Sequence, residues 1–333
     1  MIGTGRPGDA AIRETTQAVR GTPGVLKWSG TAILLAFYAG MIIFFSVVSP
    51  YFLNVRNFLN IGTNMAYIGI MAAGSTLVLI AGGLDLSVEA VAAISGVIIG
   101  IIYRAGLGIW TGVIVSIILG TLVGAANGLC VTRLKINAFI TTLGSMSIVR
   151  GIAFVLTGGL TSSLLHPGFR FIAMGDVAGI PFPLLMMAVV FALAFIVLNY
   201  MPFGRSIYAI GGNAEAARLS GINIDLITML VYVISGAAAA GSGVLLTSML
   251  GASAPQAATG VALTVIAAVI LGGTSLSGGK GSIWGTLLGT LILGTLNNGL
   301  VLLNVSSFYQ DVARGAVLLL AVALDRLRER GAV

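Results

Sequence analysis

The chain has 333 residues, of which 57% are hydrophobic and 8% are charged, and its mean hydropathy is +1.07. Soluble domains carry about 25% charged residues, which form most of a water-facing surface. The composition therefore excludes a soluble enzyme, a nucleic-acid-binding domain and a disulfide scaffold. Because the chain has one cysteine and one histidine, a multi-ligand zinc site is implausible. We expect no metal and no cofactor in this chain.

Apolar runs long enough to cross a bilayer follow one another along the chain. A hydrocarbon core of about 30 Å needs roughly 20 residues of helix, and about ten runs approach that length. We therefore predict an all-α polytopic membrane protein. The predicted spans are 29–48, 58–81, 85–103, 107–131, 136–157, 181–200, 227–249, 258–274, 282–304 and 308–325. The break around 82–90 is short and the eighth run is barely long enough, so nine or eleven spans also fit.

The basic residues indicate an orientation. With ten spans and a cytoplasmic amino terminus, most of them fall on the inner side, as the positive-inside rule favours. The inner set is Arg6, Arg13, Arg20, Lys27, Arg133, Lys135, Arg205, Arg218, Lys280, Arg326, Arg328 and Arg330, and the outer set is Arg56, Arg104 and Arg170. We predict a cytoplasmic tail at 1–28, a membrane domain at 29–325 and a second cytoplasmic tail at 326–333. An amphipathic helix on anionic lipid is the alternative for the first tail.

Two glycine-rich patterns have separate interpretations. Small residues four apart, as in Gly120/Gly124, Gly236/Ala240 and Gly285/Gly289, predict close helix packing within the membrane. The stretch 273–282 resembles a phosphate loop only superficially, because Gly279 and Gly281 interrupt the spacing that a Walker A motif requires. We therefore expect that this chain does not hydrolyse ATP.

The long inner connection, 201–226, contains signals for a short helix of its own. Pro202 stops the preceding helix, and Asn213 is a good N-cap. Glu215 lies in the first turn, where the helix dipole favours an anion, and Gly221 suits a left-handed C-cap. The sequence predicts a helix over 214–220 between two spans.

Three separated motifs carry a resemblance to a known family. Glu215-Ala216-Ala217, followed by Arg218 and Gly221 and preceded by Asn213, is similar to the EAA motif of bacterial ATP-binding-cassette (ABC) importer permeases. The signature loops resemble those of ribose/xylose/arabinose permeases in the branched-chain amino acid/sugar permease superfamily. Their residues are Gly82, Gly83, Asp85 and Ser87 in the first loop, and Gly272, Gly273, Gly278 and Gly279 in the second. Glu89 stands where the family usually has glycine.

The resemblance implies a bundle like that of type II ABC importers in the bacterial inner membrane, with both termini cytoplasmic. It further implies transport of a monosaccharide such as ribose, xylose, arabinose or galactose along a dimer interface. The implied partners are ABC ATPase subunits, a periplasmic sugar-binding protein and a second permease copy, identical or related. ATP hydrolysis would then belong to the separate ATPase, and the chain itself would not be an enzyme.

Charged groups within the spans are costly unless they are paired. Asp311 and Arg314 are three residues apart and suit a local pair, whereas Arg150 has no acidic neighbour in its own span. We predict that Arg150 pairs across helices with Asp311, Asp85 or Glu89. Polar residues of two spans either bond helices together or line the substrate pathway: Asn137, Thr141 and Ser145, and Asn297 and Asn298.

Two other functions fit parts of the sequence. A secondary transporter driven by an ion gradient would use Asp85, Glu89 or Asp311 for coupling, and its uptake would collapse with an uncoupler. An ABC permease of the same superfamily for a non-sugar solute is the second alternative. A constitutive channel would need a continuous polar stripe through several spans, which the sequence lacks.

Overall fold

Helices make up most of the protein, which we describe from a computed structural model covering residues 30–313, 315–317 and 319. The predicted tails 1–28 and 326–333 lie outside these residues. The helices are α1 Gly30–Val48, α2 Val55–Ile80, α3 Val88–Arg104, α4 Ile109–Thr132, α5 Ala138–Thr157, α6 Pro167–Met174, α7 Phe182–Tyr200, α8 Pro202–Gly212, α9 Ala214–Leu219, α10 Ile224–Leu250, α11 Val261–Leu271 and α12 Ile283–Leu302.

Two short antiparallel strand pairs lie in the segments that connect the helices. Strand β1 (Ser162–Ser163) pairs with β4 (Ala252–Ser253), and β2 (Asp176–Val177) pairs with β3 (Ile180–Pro181). The first pairing ties the segment after α5 to the segment after α10, which are distant in sequence. It therefore holds the loop that leads into α11.

Within the described part of the chain, six helices are long and apolar enough to cross a membrane: α2, α4, α5, α7, α10 and α12. This result supports the prediction of a multi-pass membrane protein, but it does not establish a count of about ten. α11 has 11 residues, or about 16 Å of helix, and is therefore too short to cross a 30 Å core alone. The predicted tenth span falls partly on residues that are not described, and helix is observed over 307–313.

Helices α2 and α10 lie at the centre of the bundle, and small residues bring α10 close to its neighbours. A methyl group on Gly236 of α10 would overlap the Gly120 carbonyl of α4, and one on Gly124 would overlap the Tyr232 carbonyl. One on Gly289 of α12 would overlap the Ala268 carbonyl of α11. The predicted packing of these small residues is confirmed.

Two connections contain helices that the sequence reasoning missed. Pro202 does end α7, but it also opens α8, because proline fits the first turn of a helix where its missing N–H costs nothing. In the connection 158–180, His166 caps α6, and its Nδ1 accepts a hydrogen bond from Phe169 N at 3.2 Å.

Candidate coupling surface and substrate pathway

The short helix α9 forms where the sequence predicts it, with each terminus satisfied. The Asn213 side chain accepts a hydrogen bond from Ala216 N at 2.9 Å, as an N-cap does. Gly221 has a φ of 84°, and its N–H donates to the Arg218 carbonyl. The observed helix ends at Leu219, so the prediction of 214–220 is right to one residue.

The outer face of α9 is charged and exposed. Glu215 and Arg218 form an ion pair one turn apart on this face. The guanidinium lowers the pKa of Glu215, and the carboxylate raises the pKa of Arg218, so both groups stay charged at neutral pH. Ala217 is buried against the bundle, and Leu219 at the tip is 77% exposed. The helix thus offers an apolar tip beside a charge pair.

Glycines join α8, the helix that leads into α9, to both signature loops. Gly279 N donates to the Ile80 carbonyl at 2.8 Å, which connects the end of α2 to the second loop. A methyl group on Gly211 would overlap that same carbonyl, and one on Gly278 would lie 2.8 Å from Gly82 Cα. We call these five residues the glycine junction; it brings both signature loops against α8.

A tyrosine side chain reinforces this junction. Tyr208 Oη on α8 donates to the Gly281 carbonyl at 2.9 Å. Burial raises the pKa of Tyr208, so its hydroxyl remains protonated and continues to donate. This hydrogen bond therefore ties α8 to the second signature loop.

The first signature loop is held by a buried carboxylate. Asp85 is 1% exposed and accepts hydrogen bonds from Ser87 N, from Ser87 Oγ at 2.6 Å and from Ser235 Oγ at 2.7 Å. The Ser87 hydroxyl in turn accepts from Asn127 Nδ2 at 2.9 Å. This network joins the loop to α4 and α10. The observed donors to the Asp85 carboxylate are two hydroxyl groups and one backbone N–H, and no cation is among them.

In the second signature loop, two adjacent glycines differ in their surroundings. A methyl group on Gly272 would overlap the Gly285 carbonyl of α12. Gly273 has a φ of 89°, which is a left-handed conformation that glycine adopts without strain. The first glycine permits close helix approach, and the second turns the chain.

Arg150 pairs with Glu89, one of the three partners that the sequence predicts. Their side chains are 15% and 9% exposed, and the Nη2–Oε1 distance is 2.9 Å. Asp85 is instead bonded by hydroxyl groups. Asp311 lines a cavity of about 290 Å³ with Thr259 and Thr264. Arg314 lies outside the described residues, so the predicted Asp311–Arg314 pair stays a prediction.

The paired amides of α12 have different surroundings. Asn298 exchanges hydrogen bonds with Asn57 at 3.0 and 2.9 Å, so it joins two helices. The buried Asn297 Oδ1 has no hydrogen-bond partner among the described residues. It lines a cavity of about 280 Å³ that also contains Asn64 and Thr264. Asn297 therefore lines the cavity, while its Oδ1 atom is itself buried.

The polar residues of α5 have different surroundings. The exposed Asn137 caps the helix by accepting from Phe139 N at 2.9 Å. The Thr141 hydroxyl is buried without a partner in the described part of the chain, and Ser145 is half-buried one turn later. The place of these three residues in the substrate pathway stays a prediction.

Sequence reasoning missed several residues of these sites. Asn64 and Thr264 were not identified because single polar residues in apolar runs have no distinctive spacing. Gly211 stands in a Gly-Gly pair directly before the Asn213 cap, a signal that was available. Tyr208 had no such signal, because its carbonyl partner is remote in sequence.

Comparison with known proteins places the chain in a family. Residues 57–322 match the family described as "Branched-chain amino acid transport system / permease component". The ribose import permease of Bacillus subtilis is 43% identical over 86% of this chain and 89% of its own length. That of Escherichia coli K12 is 40% identical over 95% and 100%, and the L-arabinose permease of E. coli K12 is 37% identical over 89% and 90%.

No solved structure matches the chain. The family match covers both signature loops, α9 and, apart from the first two residues of α2, the six described helices that are long enough to span a membrane. The chain belongs to the family of branched-chain amino acid transport system permease components, together with the ribose and arabinose permeases that it resembles over most of its length.

Proposed function

We propose that this chain is the membrane-spanning permease subunit of an ABC importer that moves a monosaccharide across the bacterial inner membrane. The observation that carries the proposal is α9, a capped helix with an exposed tip between two membrane-spanning helices. A loop of that kind serves as a docking surface. The relatives' names, ribose and L-arabinose permease, support a pentose as the substrate.

The docking partner in this proposal is a separate ATPase subunit on the cytoplasmic side. Asn213 fixes the start of α9, Glu215 and Arg218 present charge, and Leu219 presents apolar surface. When ATP closes the ATPase dimer, α9 moves with it. Gly221 gives the chain the turn it needs to leave that surface and enter α10.

The glycine junction passes this motion to the bundle. Because α8 lies against Ile80 and Gly279 without intervening side chains, a displacement of α8 shifts both signature loops together. Side chains would absorb part of such a displacement by changing rotamer, whereas backbone in direct contact does not.

Substrate passes the polar cavities beside α11 and α12. Asn297, Asn64 and Thr264 line the 280 Å³ cavity and offer amide and hydroxyl groups. Sugar hydroxyls need such partners more than they need strong charge. A periplasmic binding protein delivers the sugar in this scheme, and a second permease copy completes the pathway. Both termini face the cytoplasm.

Energy coupling is the property that separates this proposal from an ion-driven transporter. The chain is reconstituted into liposomes with its ATPase and binding protein, and uptake of radiolabelled D-ribose and L-arabinose is measured. We expect uptake of at least one pentose that requires ATP and persists when an uncoupler dissipates ion gradients. Uptake that continues without the ATPase and collapses with the uncoupler would contradict the proposal.

A further inference from the structure

Two helices begin beside each other inside the bundle. α3 starts at Val88 after the first signature loop, and α11 starts at Val261. The second residue of α3, Glu89, accepts a hydrogen bond through Oε2 from Ala262 N at 3.1 Å. A carboxylate thus satisfies a free N–H in the first turn of a neighbouring helix, where the helix dipole also favours negative charge.

This contact replaces a cap that α11 lacks. The N-cap residue of α11 is Gly260, which has no side chain to accept from the first turn. The Glu89 carboxylate supplies the acceptor from another part of the chain. Glu89 is 7% exposed, so water does not compete freely for these groups.

Arg150 fixes the segment that precedes α11. Its Nη1 donates to the Ala257 carbonyl at 2.9 Å, to Thr259 Oγ1 at 3.0 Å and to the Pro255 carbonyl at 3.3 Å. Its Nη2 donates to Glu89. One guanidinium therefore holds three points of the α10–α11 connection, and its carboxylate partner holds the helix that follows.

The segment held in this way is the wall of a cavity. Thr259, Gly260 and Thr264 line the 290 Å³ cavity, and Thr264 also lines the adjoining 280 Å³ cavity. Both cavities therefore depend on the placement of the α11 start. Arg150 and Glu89 line neither cavity, so they act on both cavities through the backbone at the start of α11.

We propose that Glu89 and Arg150 are positioning residues that hold the start of α11 as the wall between these two cavities and thereby keep sugar passage coupled to ATP hydrolysis. The pair fixes a short helix that cannot cross the membrane alone. This inference rests on the proposed function for its transport consequence. Its structural consequence is independent of the substrate.

Thiol labelling tests the structural part directly in the full reconstituted complex. Replacing Cys130, the only cysteine, by serine and adding Thr264→Cys gives a single reporter in the cavity wall. We expect Glu89→Ala to raise its labelling rate by a small maleimide about tenfold, the shift that loss of one charge-assisted hydrogen bond gives. The exposed Lys135–Asp225 pair provides the control, because Lys135→Met should leave the rate unchanged. Equal rates in Glu89→Ala and the control overturn the inference.

A transport measurement tests the functional part and separates it from misfolding. Glu89→Gln and Arg150→Lys are expected to lower D-ribose transported per ATP hydrolysed about fivefold, while ATP hydrolysis per complex persists. A purely structural defect would lower both rates equally and leave the ratio unchanged, which would overturn the coupling role. Absence of ATP-dependent uptake in the unmodified complex refutes the proposed function instead, and the labelling result still decides the positioning role.

A double variant tests whether Glu89 and Arg150 stabilise the protein as a pair. Arg150→Met leaves Glu89 buried with a single N–H donor, and such an unpaired buried charge is costly. Adding Glu89→Gln removes that charge, so the double variant should be more thermally stable than Arg150→Met alone. If the double variant is less stable, the two residues do not act as a pair and the inference fails.

Discussion

Helices α2 and α7 differ in a way that reverses the rule for soluble proteins. The apolar 18-residue stretch of α2 has the lower mean hydropathy of the two, 1.5, yet 83% of that stretch is buried in the bundle. The corresponding stretch of α7 has a mean hydropathy of 2.5, and only 22% of it is buried. Since lipid is the exterior solvent, the more apolar helix faces outward. Hydropathy therefore locates the membrane, while small and polar residues locate the centre of the bundle.

The same contrast applies to function. Gly74 and Ser75 lie in the central α2, and Asp85 and Glu89 follow it, whereas the outward part of α7 presents aliphatic side chains such as Val189 and Leu193. The buried Asp85 follows α2 and bonds to Ser235 of α10, and the 280 Å³ cavity is lined by residues of α2 and α10 as well as of α11 and α12. We expect substitutions there to affect folding and transport, and matching substitutions outside to have little effect.

The largest effect is expected where backbones touch. Gly236→Leu puts a side chain into the Gly120 carbonyl, and we expect a loss of about 3 kcal/mol or more, because neither helix can move away. Gly151→Leu on the outer α5 meets nothing within 4 Å and should leave stability unchanged. Size-exclusion chromatography after heating in detergent measures both variants. Equal loss of stability at the two sites would mean that small residues do not define the centre of the bundle.

A matched pair of leucines sharpens the comparison with a milder change. Leu77 on α2 is 1% exposed, and Leu193 on α7 is 57% exposed. Leu77→Ala removes packing atoms and should cost about 2 kcal/mol, whereas Leu193→Ala exchanges lipid contacts and should cost less than about 0.5 kcal/mol. Unfolding in mixed detergent reports both values, and a cost at Leu193 equal to that at Leu77 would place α7 inside the assembly.

The glycine junction offers neighbouring residues with opposite surroundings. A methyl group on Gly211 overlaps the Ile80 carbonyl, whereas one on Gly212 meets nothing within 4 Å. Gly211→Ala should reduce pentose uptake per ATP about fivefold or more, because it separates α8 from the signature loops, and Gly212→Ala should leave it unchanged. The two rates are measured in the same reconstituted importer. Equal ratios would remove the junction from the coupling route.

The sequence predicted those features that depend on local chemistry. The positions of the six long apolar helices follow from apolar runs, and α9 follows from Asn213 and Gly221, which act within one turn. The Arg150 partner was narrowed to three acids because burial of a lone guanidinium is costly. The roles of Gly211, Asn64 and the α11 start could not be predicted, because each depends on which remote backbone lies beside it. The eighth predicted span is barely long enough for a membrane crossing, and the helix α11 within it is shorter still, with 11 residues.

The proposed docking of the ATPase on α9 is tested most directly at the tip of that helix. The tagged full-length chain is coexpressed with its ATPase subunit, and the amount of ATPase that copurifies in detergent is measured. Leu219→Asp puts a charge on a side chain that is 77% exposed at that tip, and Leu160→Asp does the same at a 73% exposed site in another connection. We expect Leu219→Asp to lose most of the ATPase and Leu160→Asp to retain it. Full retention with Leu219→Asp, or equal loss with both, would contradict the assignment of α9 as the coupling helix.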